Sequence, residues 1–171
     1  MDEHQHPDRE ARPKVAVVSV EQAESFAILR RSQIESDRLP QSHGEMFEGG
    51  LIRRCGLNPD LARRAVTQLG EVWVVPGSGY IALVVGGMVC SRTEVAARQG
   101  MVTWTSDSGA LQDLVHGLVP DGVREVSLRA ANDASATVAV NDNVYGTVLD
   151  GHLRSVRFFG PAGTVDLGPW G

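Results

Sequence analysis

The sequence predicts a mainly β protein, an antiparallel β-sandwich or rolled meander with two to three short helices packed on one side. Three observations carry that reading. After residue 70, short β-branched and aliphatic runs recur between Gly-, Asn- and Asp-rich turns, and that part holds fourteen of the nineteen glycines. Val126, Leu128 and Ala130 alternate with Glu125, Ser127 and Arg129, the one-wet-face pattern of antiparallel sheets. Asp150-Gly151 lies between two β-branched runs, a strong local hairpin signal.

The elements follow in chain order. Residues 1–14 are polar, contain Pro7 and Pro13, and read as a disordered tail. Residues 15–70 read as a helical N-terminal segment packed on the sheet, and 71–171 as the sheet region of the same domain. Ser19 followed by Gln22 is a capping box; the helix it opens should turn Ala23, Phe26, Ala27 and Ile34 inward. Residues 40–50 read as loop. Asn58-Pro59 has the form of an N-cap and a first helical position. The second helix this predicts puts Leu61, Ala62, Ala65, Val66 and Leu69 on one face, Arg63-Arg64 on the wet side, and stops at Gly70. A third helix should run from Ser91, boxed by Glu94, to Gly100. Glu71–Val75 and Tyr80–Val85 flank Gly77-Ser78-Gly79 as a hairpin. Strands are expected at Met101–Thr105, 111–119, 123–130, 136–140, 143–149 and 152–159, the last five forming an up-and-down meander.

Composition narrows the function classes. The chain has 171 residues and 18.4 kDa, enough for one domain with a core that needs no disulfide or metal. Its net charge of −5 argues against nucleic acid or an anionic membrane as the main partner. Lys14 is the only lysine and lies in the polar tail, so Schiff-base or phosphate-binding lysine chemistry is excluded. The N-terminus has no apolar segment of the signal-peptide type. The longest apolar stretch, Tyr80–Cys90, falls short of the ~20 residues of a membrane span. A cytoplasmic location is the default expectation, and an exported or envelope location is the alternative.

Few motifs carry chemistry. Gly77-Ser78-Gly79-Tyr80-Ile81-Ala82 has the glycine spacing of a dinucleotide site, but a strand follows where a helix N-terminus is required, so it reads as a tight turn. Cys90, beside a helix start and Arg92, is a candidate nucleophile; the commoner state of such a thiol is a buried strand end. Cys55 and Cys90 flank one helix–hairpin unit and can either bridge or stay free; free thiols are expected. His4, His6, His43, His116 and His152 lack metal-ligand spacing. No G-x-S-x-G elbow nominates a serine, although a Ser-His-Asp triad can assemble from distant positions. Arg30-Arg31, Arg53-Arg54 and Arg63-Arg64 read as solvated charges. No cofactor is implied.

Leu118-Val119-Pro120-Asp121-Gly122-Val123 and Val138-Ala139-Val140-Asn141-Asp142-Asn143-Val144-Tyr145 resemble a module of uncharacterised actinobacterial proteins. Ser25–Arg31, Gly56–Ala65 and Val72–Val75 are similar too, so the resemblance spans about residues 20–160. It implies no known activity. It implies export or membrane anchoring behind an apolar N-terminal segment, and a cysteine pair around the strand after the first hairpin. Here the N-terminus is polar, and Ala82 stands where the first of those cysteines is expected.

These readings favour a non-enzymatic interaction module, envelope-associated in one version, that binds a protein or small ligand through loops at one end of the sheet. In a meander, alternate turns share an end. Pro120–Gly122, Asn141–Asn143 and Gly160–Gly163 should therefore meet, opposite Asn132-Asp133 and Asp150-Gly151. That gathers Asp121, Asn141, Asp142 and Asn143, with Tyr145 close behind, as a binding end. Asp121 and Asp142 are its candidate Ca²⁺ ligands, an ion that takes 6–8 oxygens. The bland alternative is turn chemistry, since turns need these residue types for their own backbone. The rival function is a small barrel enzyme for an apolar metabolite, its cavity lined by Trp73, Trp104, Phe158 and Phe159. A purely structural subunit is the third.

Overall fold

The computed structural model describes residues 17–44, 54–107 and 109–170. The expected tail at 1–14, Arg53 and most of the expected loop at 40–50 lie outside them. The protein is mainly β: eleven strands among the described residues form three antiparallel sheets. The first contains β1 (Arg63–Thr67), β2 (Gly70–Pro76), β3 (Tyr80–Val84) and β4 (Met88–Arg92), in that order. The middle sheet has the order β5 (Met101–Asp107), β6 (Gln112–Leu118), β9 (Val144–Asp150). The outer sheet has the order β11 (Gly163–Leu167), β10 (Leu153–Gly160), β7 (Glu125–Ala130), β8 (Ser135–Ala139). No helix among the described residues is long and apolar enough to cross a membrane.

Burial explains the layering. In β2 and β3, Val72–Val75 and Ile81–Val84 are buried without interruption, as strands covered on both faces must be. One face, with Ala65, Val72, Val74, Ile81 and Leu83, packs against Met101, Leu118 and Val144 of the middle sheet. The other, with Trp73, Val75, Ala82 and Val84, lies under Cys55, Leu57 and Ala62. The opposite face of the middle sheet sends Val115, Tyr145 and Leu149 into a second core with Val126, Leu128, Val156 and Phe158 of the outer sheet. Gly117 is the cross-strand partner of Tyr145. The ring lies over it where any Cβ would overlap, so the aromatic fills what the glycine leaves open.

The expected strands from 111 onward are present, but they do not pair as one meander. β6 pairs with β5 and β9, while β7 pairs with β8 and β10. Turn residues fix where the chain reverses; which sheet receives the next strand is decided by the apolar face it must bury.

Two helical expectations are corrected. Asn58 does cap, accepting from the Asp60 amide at 3.1 Å, but only for a 3-10 turn at Pro59–Leu61. Residues 63–67 then form β1, paired from Arg63↔Val74 to Thr67↔Gly70. The adjacent apolar pair Ala65-Val66 fits the helical period; pairing with β2 decides for the strand, which buries Ala65 and leaves Val66 exposed. The third helix, α3, spans Thr93–Gln99 after α1 (Val20–Ser25) and α2 (Gln41–Gly44), and Gly100 ends it at φ 66 as expected. Its start is not boxed at Ser91, which is a β4 residue paired with Ile81.

The capping box of α1 is present. Phe26 turns inward, but Ala27 and Ile34 are exposed and Ile28 and Leu29 fill the core instead. Helical periodicity stops because Phe26 is extended, at φ −136. Gln22 docks the helix: its buried Nε2 donates to Gly77 O at 3.0 Å, Tyr80 O at 2.7 Å and Thr93 Oγ1 at 3.1 Å.

Arg30-Arg31 and Arg63-Arg64 are structural; Arg53 lies outside the described residues. Arg31 holds the fully buried Asp37 carboxylate bidentately at 2.6 Å, and the amides of Ile34 and Arg64 donate to it at 2.8 and 2.7 Å. Arg63, expected in solvent, is buried and donates to the carbonyls of Arg31 and Leu61. Arg64 pairs with Glu71. Burial opposes the Asp37 charge, but the hydrogen bonds from Arg31, Ile34 and Arg64 outweigh it and hold its pKa at about 2.

That value lies below the ordinary 3.8, so the folded state takes up this proton less readily than the unfolded chain. The contribution, on the order of 2 kcal/mol, is present above about pH 4 and lost as the pH falls toward 2. Asp37→Asn is expected to lose at least ~2 kcal/mol at neutral pH and to flatten the acid dependence, measured by urea unfolding at neutral pH and near pH 3. An acid dependence identical to that of the parent would remove Asp37 from this role. In the second core, Leu128→Ala should cost about 2–5 kcal/mol, while Val66→Ala on an exposed β1 site stays within about 0.5 kcal/mol.

Candidate functional site

The turns at 120–122 and 141–143 meet at one end of the layered sheets, and they meet through side chains. Asn143 Nδ2 donates to Asp121 Oδ1 at 2.9 Å and to Val119 O at 3.1 Å. Asn143 Oδ1 accepts from the Ile28 amide at 3.0 Å, and Asp121 Oδ1 from the Ala27 amide at 2.7 Å. Arg30 Nη1 closes on Asp121 Oδ2 at 2.5 Å, and the Asp121 amide donates to Ser25 O at 2.9 Å. Asp142 and Asn143 have φ of 50° and 66°, between the mutual backbone bonds of Asn141 and Val144. Two left-handed residues in a row are a type I′ turn, which explains the Asp-Asn pair.

This end therefore spends its oxygens internally. Both carboxylate oxygens of Asp121 and the carboxamide oxygen of Asn143 hold the 3-10 turn at Ala27–Leu29. A cation at Asp121 would have to displace Arg30. Asn141 and Asp142 remain exposed, and Tyr145 is buried between the sheets, where burial pushes its phenol pKa up. Among the described residues no three His, Cys, Asp or Glu side chains converge as a metal site needs.

The other candidates are also engaged. Cys90 is not a thiol: it forms a disulfide with Cys55, Cα atoms 6.7 Å apart, which corrects the expectation of free thiols. Cys55 lies with Leu57 and Ala62 on the outward face of the first sheet, and this brings the two cysteines together across 35 positions of sequence. Sequence reasoning missed Asp113. It is fully buried on β6 and accepts from the Leu153 amide at 2.6 Å and from His152 Nδ1 at 3.1 Å. Burial resists its charge, but these bonds, with one from Ser106, lower its pKa. Ser106 thus serves the carboxylate rather than the imidazole, and the pair ties the β9–β10 turn to the middle sheet. Its only sequence signal was the Asp-Gly turn placing His152 nearby.

The four aromatics expected to line one cavity do not converge. Trp73 packs on the outward face of the first sheet beside His43. Trp104 stacks on Trp170 with centroids 5.0 Å apart. Phe158 is buried in the second core, and its neighbour Phe159 points the other way, 75% exposed.

Phe159 marks a further surface with distinctive chemistry, the solvent face of the outer sheet. Strand pairing arranges that face in rows. Thr164 lies beside Phe159; Asp166, Arg157, Ser127 and Thr137 form the next row; Ser155, Arg129 and Ser135 form the third. Arg157 pairs with Asp166 at 2.5 Å and Arg129 with Asp133 at 3.4 Å. Two depressions of about 460 and 320 Å³ lie end to end along β7 and β10, with Ser127 and Arg157 lining both, and make up a two-part trough.

Asn143→Ala would leave the Ile28 amide and Asp121 short of partners and place a Cβ at positive φ without the local bonds of Asn. It is expected to cost about 2–4 kcal/mol in urea unfolding, against about 0.5 kcal/mol or less for Asn141→Ala. Equal effects would show that the junction does not hold the N-terminal segment.

No protein-family model, curated protein or solved structure matches the chain.

Proposed function

We propose that the chain is a non-enzymatic binding module that works in an oxidising, envelope-type compartment and presents the solvent face of the outer sheet. The observation that carries the reading is a contrast. The groups with catalytic potential, Cys90, Asp113 with His152, Asp121 and Asn143, are each consumed in internal ties, whereas Phe159 and the ion-pair rows stay in solvent. A large aromatic held 75% exposed amid polar neighbours is the kind of surface feature that binding selects. The disulfide supports the compartment, since such bonds persist where thiols are oxidised. The resemblance to exported actinobacterial proteins supports the same location. Its shared Val-Pro-Asp-Gly and Asp-Asn-Val-Tyr stretches carry the Asp121–Asn143 junction, so they read as a fold signature rather than a site. The rival enzyme reading loses its support with the dispersal of the four aromatics.

Co-sedimentation with an insoluble cell-envelope preparation tests the face. The parent should sediment, Phe159→Ala should lose at least about tenfold in binding, and Leu114→Ala, an exposed apolar site on the middle sheet, should bind like the parent. Equal behaviour of the two variants, or no sedimentation of the parent, would refute it. Thiol counting tests the compartment. Protein alkylated on recovery from its own cell should show no reactive thiol in denaturant and two after reduction; two before reduction would contradict the proposed location.

A further inference from the structure

Resting on that reading, we infer that the trough on the outer sheet binds a neutral polysaccharide chain, with Phe159 as the stacking platform and the arginine–carboxylate rows as hydroxyl partners. The argument begins with what the trough lacks. Its two depressions are bordered by three arginines (Arg124, Arg129 and Arg157) and three carboxylates (Glu125, Asp133 and Asp166). A polyanion would want an unbalanced arginine stripe, and a polycation an acidic one. Here the charges cancel, and two of the arginines are already paired along the floor. Charge balance points to an uncharged ligand.

A protein partner fits poorly. Interface cores gather several aromatic or aliphatic anchors and are depleted in charge. This face offers one ring, with Ser127, Ser135, Ser155, Thr137 and Thr164 around it, and its ion-paired side chains are 54–75% exposed. A single apolar plate in a field of hydroxyls and planar charged groups matches a ligand with the same mixture. A pyranose ring has an apolar C–H face the size of a phenyl ring, and a rim of hydroxyls that both donate and accept. Phe159 supplies the plate. Arginine N–H groups donate to ring hydroxyls, and Asp166 and Asp133 accept from them, charge-assisted bonds stronger than neutral ones. An ion pair that persists in the free protein orients both members before the ligand arrives, which lowers the ordering cost of binding.

The geometry suits a chain rather than one sugar. The rows repeat every second residue along β7 and β10, about 7 Å apart, and from Glu125 to Arg129 the floor extends about 13 Å. The two depressions follow one another along β7, with Ser127 and Arg157 lining both. Phe159 sits at the Gly122 end, and the Arg129–Asp133 pair at the other.

Affinity electrophoresis of the full chain tests this with three neutral polymers (soluble starch, hydroxyethyl cellulose and a galactomannan) and with carboxymethyl cellulose as the charged counterpart. At least one neutral polymer should retard the parent, and about 0.5 M NaCl should change the retardation less than twofold, because no net charge is engaged. Phe159→Ala should weaken it at least tenfold at an unchanged melting temperature, Phe159→Trp should retain it, and Arg157→Ala should weaken it. No retardation by any neutral polymer, stronger salt-sensitive binding to carboxymethyl cellulose, or indifference to Phe159→Ala would each overturn the inference. So would a dimer in sedimentation velocity that Phe159→Ala turns into a monomer, since the face would then belong to a second copy. If envelope co-sedimentation depends on Phe159 while the neutral polymers fail, the polysaccharide is wrong and the binding-module reading stands.

Discussion

One carboxylate and one carboxamide stand where three parts of the chain meet. Asp121 opens the crossing from the middle sheet to the outer one, Asn143 ends the turn that brings the chain back, and between them they hold the amides of Ala27 and Ile28. Backbone N–H groups of a 3-10 turn entering a core need partners, and here those partners come from the two crossing points. Phe26, Ile28 and Leu29 can then enter the core between the first and middle sheets. Without that junction the first sheet would have lost part of its cover, and the order of the layers would depend on apolar contact alone.

The strands were largely legible in the sequence, because alternation and turn residues are local signals. Glu125–Ala130 alternates as the outer sheet requires, and Gly77–Gly79 closes the hairpin of β2 and β3; Asp150-Gly151, which reads as a hairpin turn, instead carries the chain from the middle sheet to the outer one. The sharing of an end by the turns at 120–122 and 141–143 was legible too, since it follows from strand direction. What those side chains do there was not. Their partners lie 94 and 115 residues away, and nothing around Asp121 announces a backbone amide near residue 27. The helix expected at 58–69 went wrong for a related reason. Ala62, Ala65 and Val66 satisfy the helical period, and the deciding partner, β2, becomes visible only once paired. Cys55 and Cys90, and Asp37 with Arg31, are likewise products of folding rather than of spacing.

Burial on both faces of the first sheet explains where binding surface remains. With β2 and β3 covered on each side, and the middle sheet sharing its faces with two cores, the solvent face of β7, β8, β10 and β11 is the broad sheet surface facing water. Its pattern differs from an ordinary wet face in one respect. Charge and hydroxyl alternate with the buried set as expected, but Phe159 takes a polar position on a strand whose other residues in those rows, Ser155 and Arg157, are polar. Among the described residues no packing requirement accounts for it, since its ring meets solvent rather than a core.

The long reach of the Asp121–Asn143 junction also fixes an order of events in time. Ile28 leaves the ribosome long before its acceptor on Asn143; at about 5–20 residues per second the interval is roughly 5–25 seconds. Throughout it, Phe26, Ile28 and Leu29 have no finished core to enter, because Leu118 and Val144 of that core are also late arrivals. The nascent chain thus carries this apolar segment unsheltered until nearly all of the middle sheet has been made. Docking of that segment has to wait for Asn143 and Val144, the kind of late, non-local closure that makes folding slow and gives a holding chaperone, or a translocation machine, time to act on an unfolded chain.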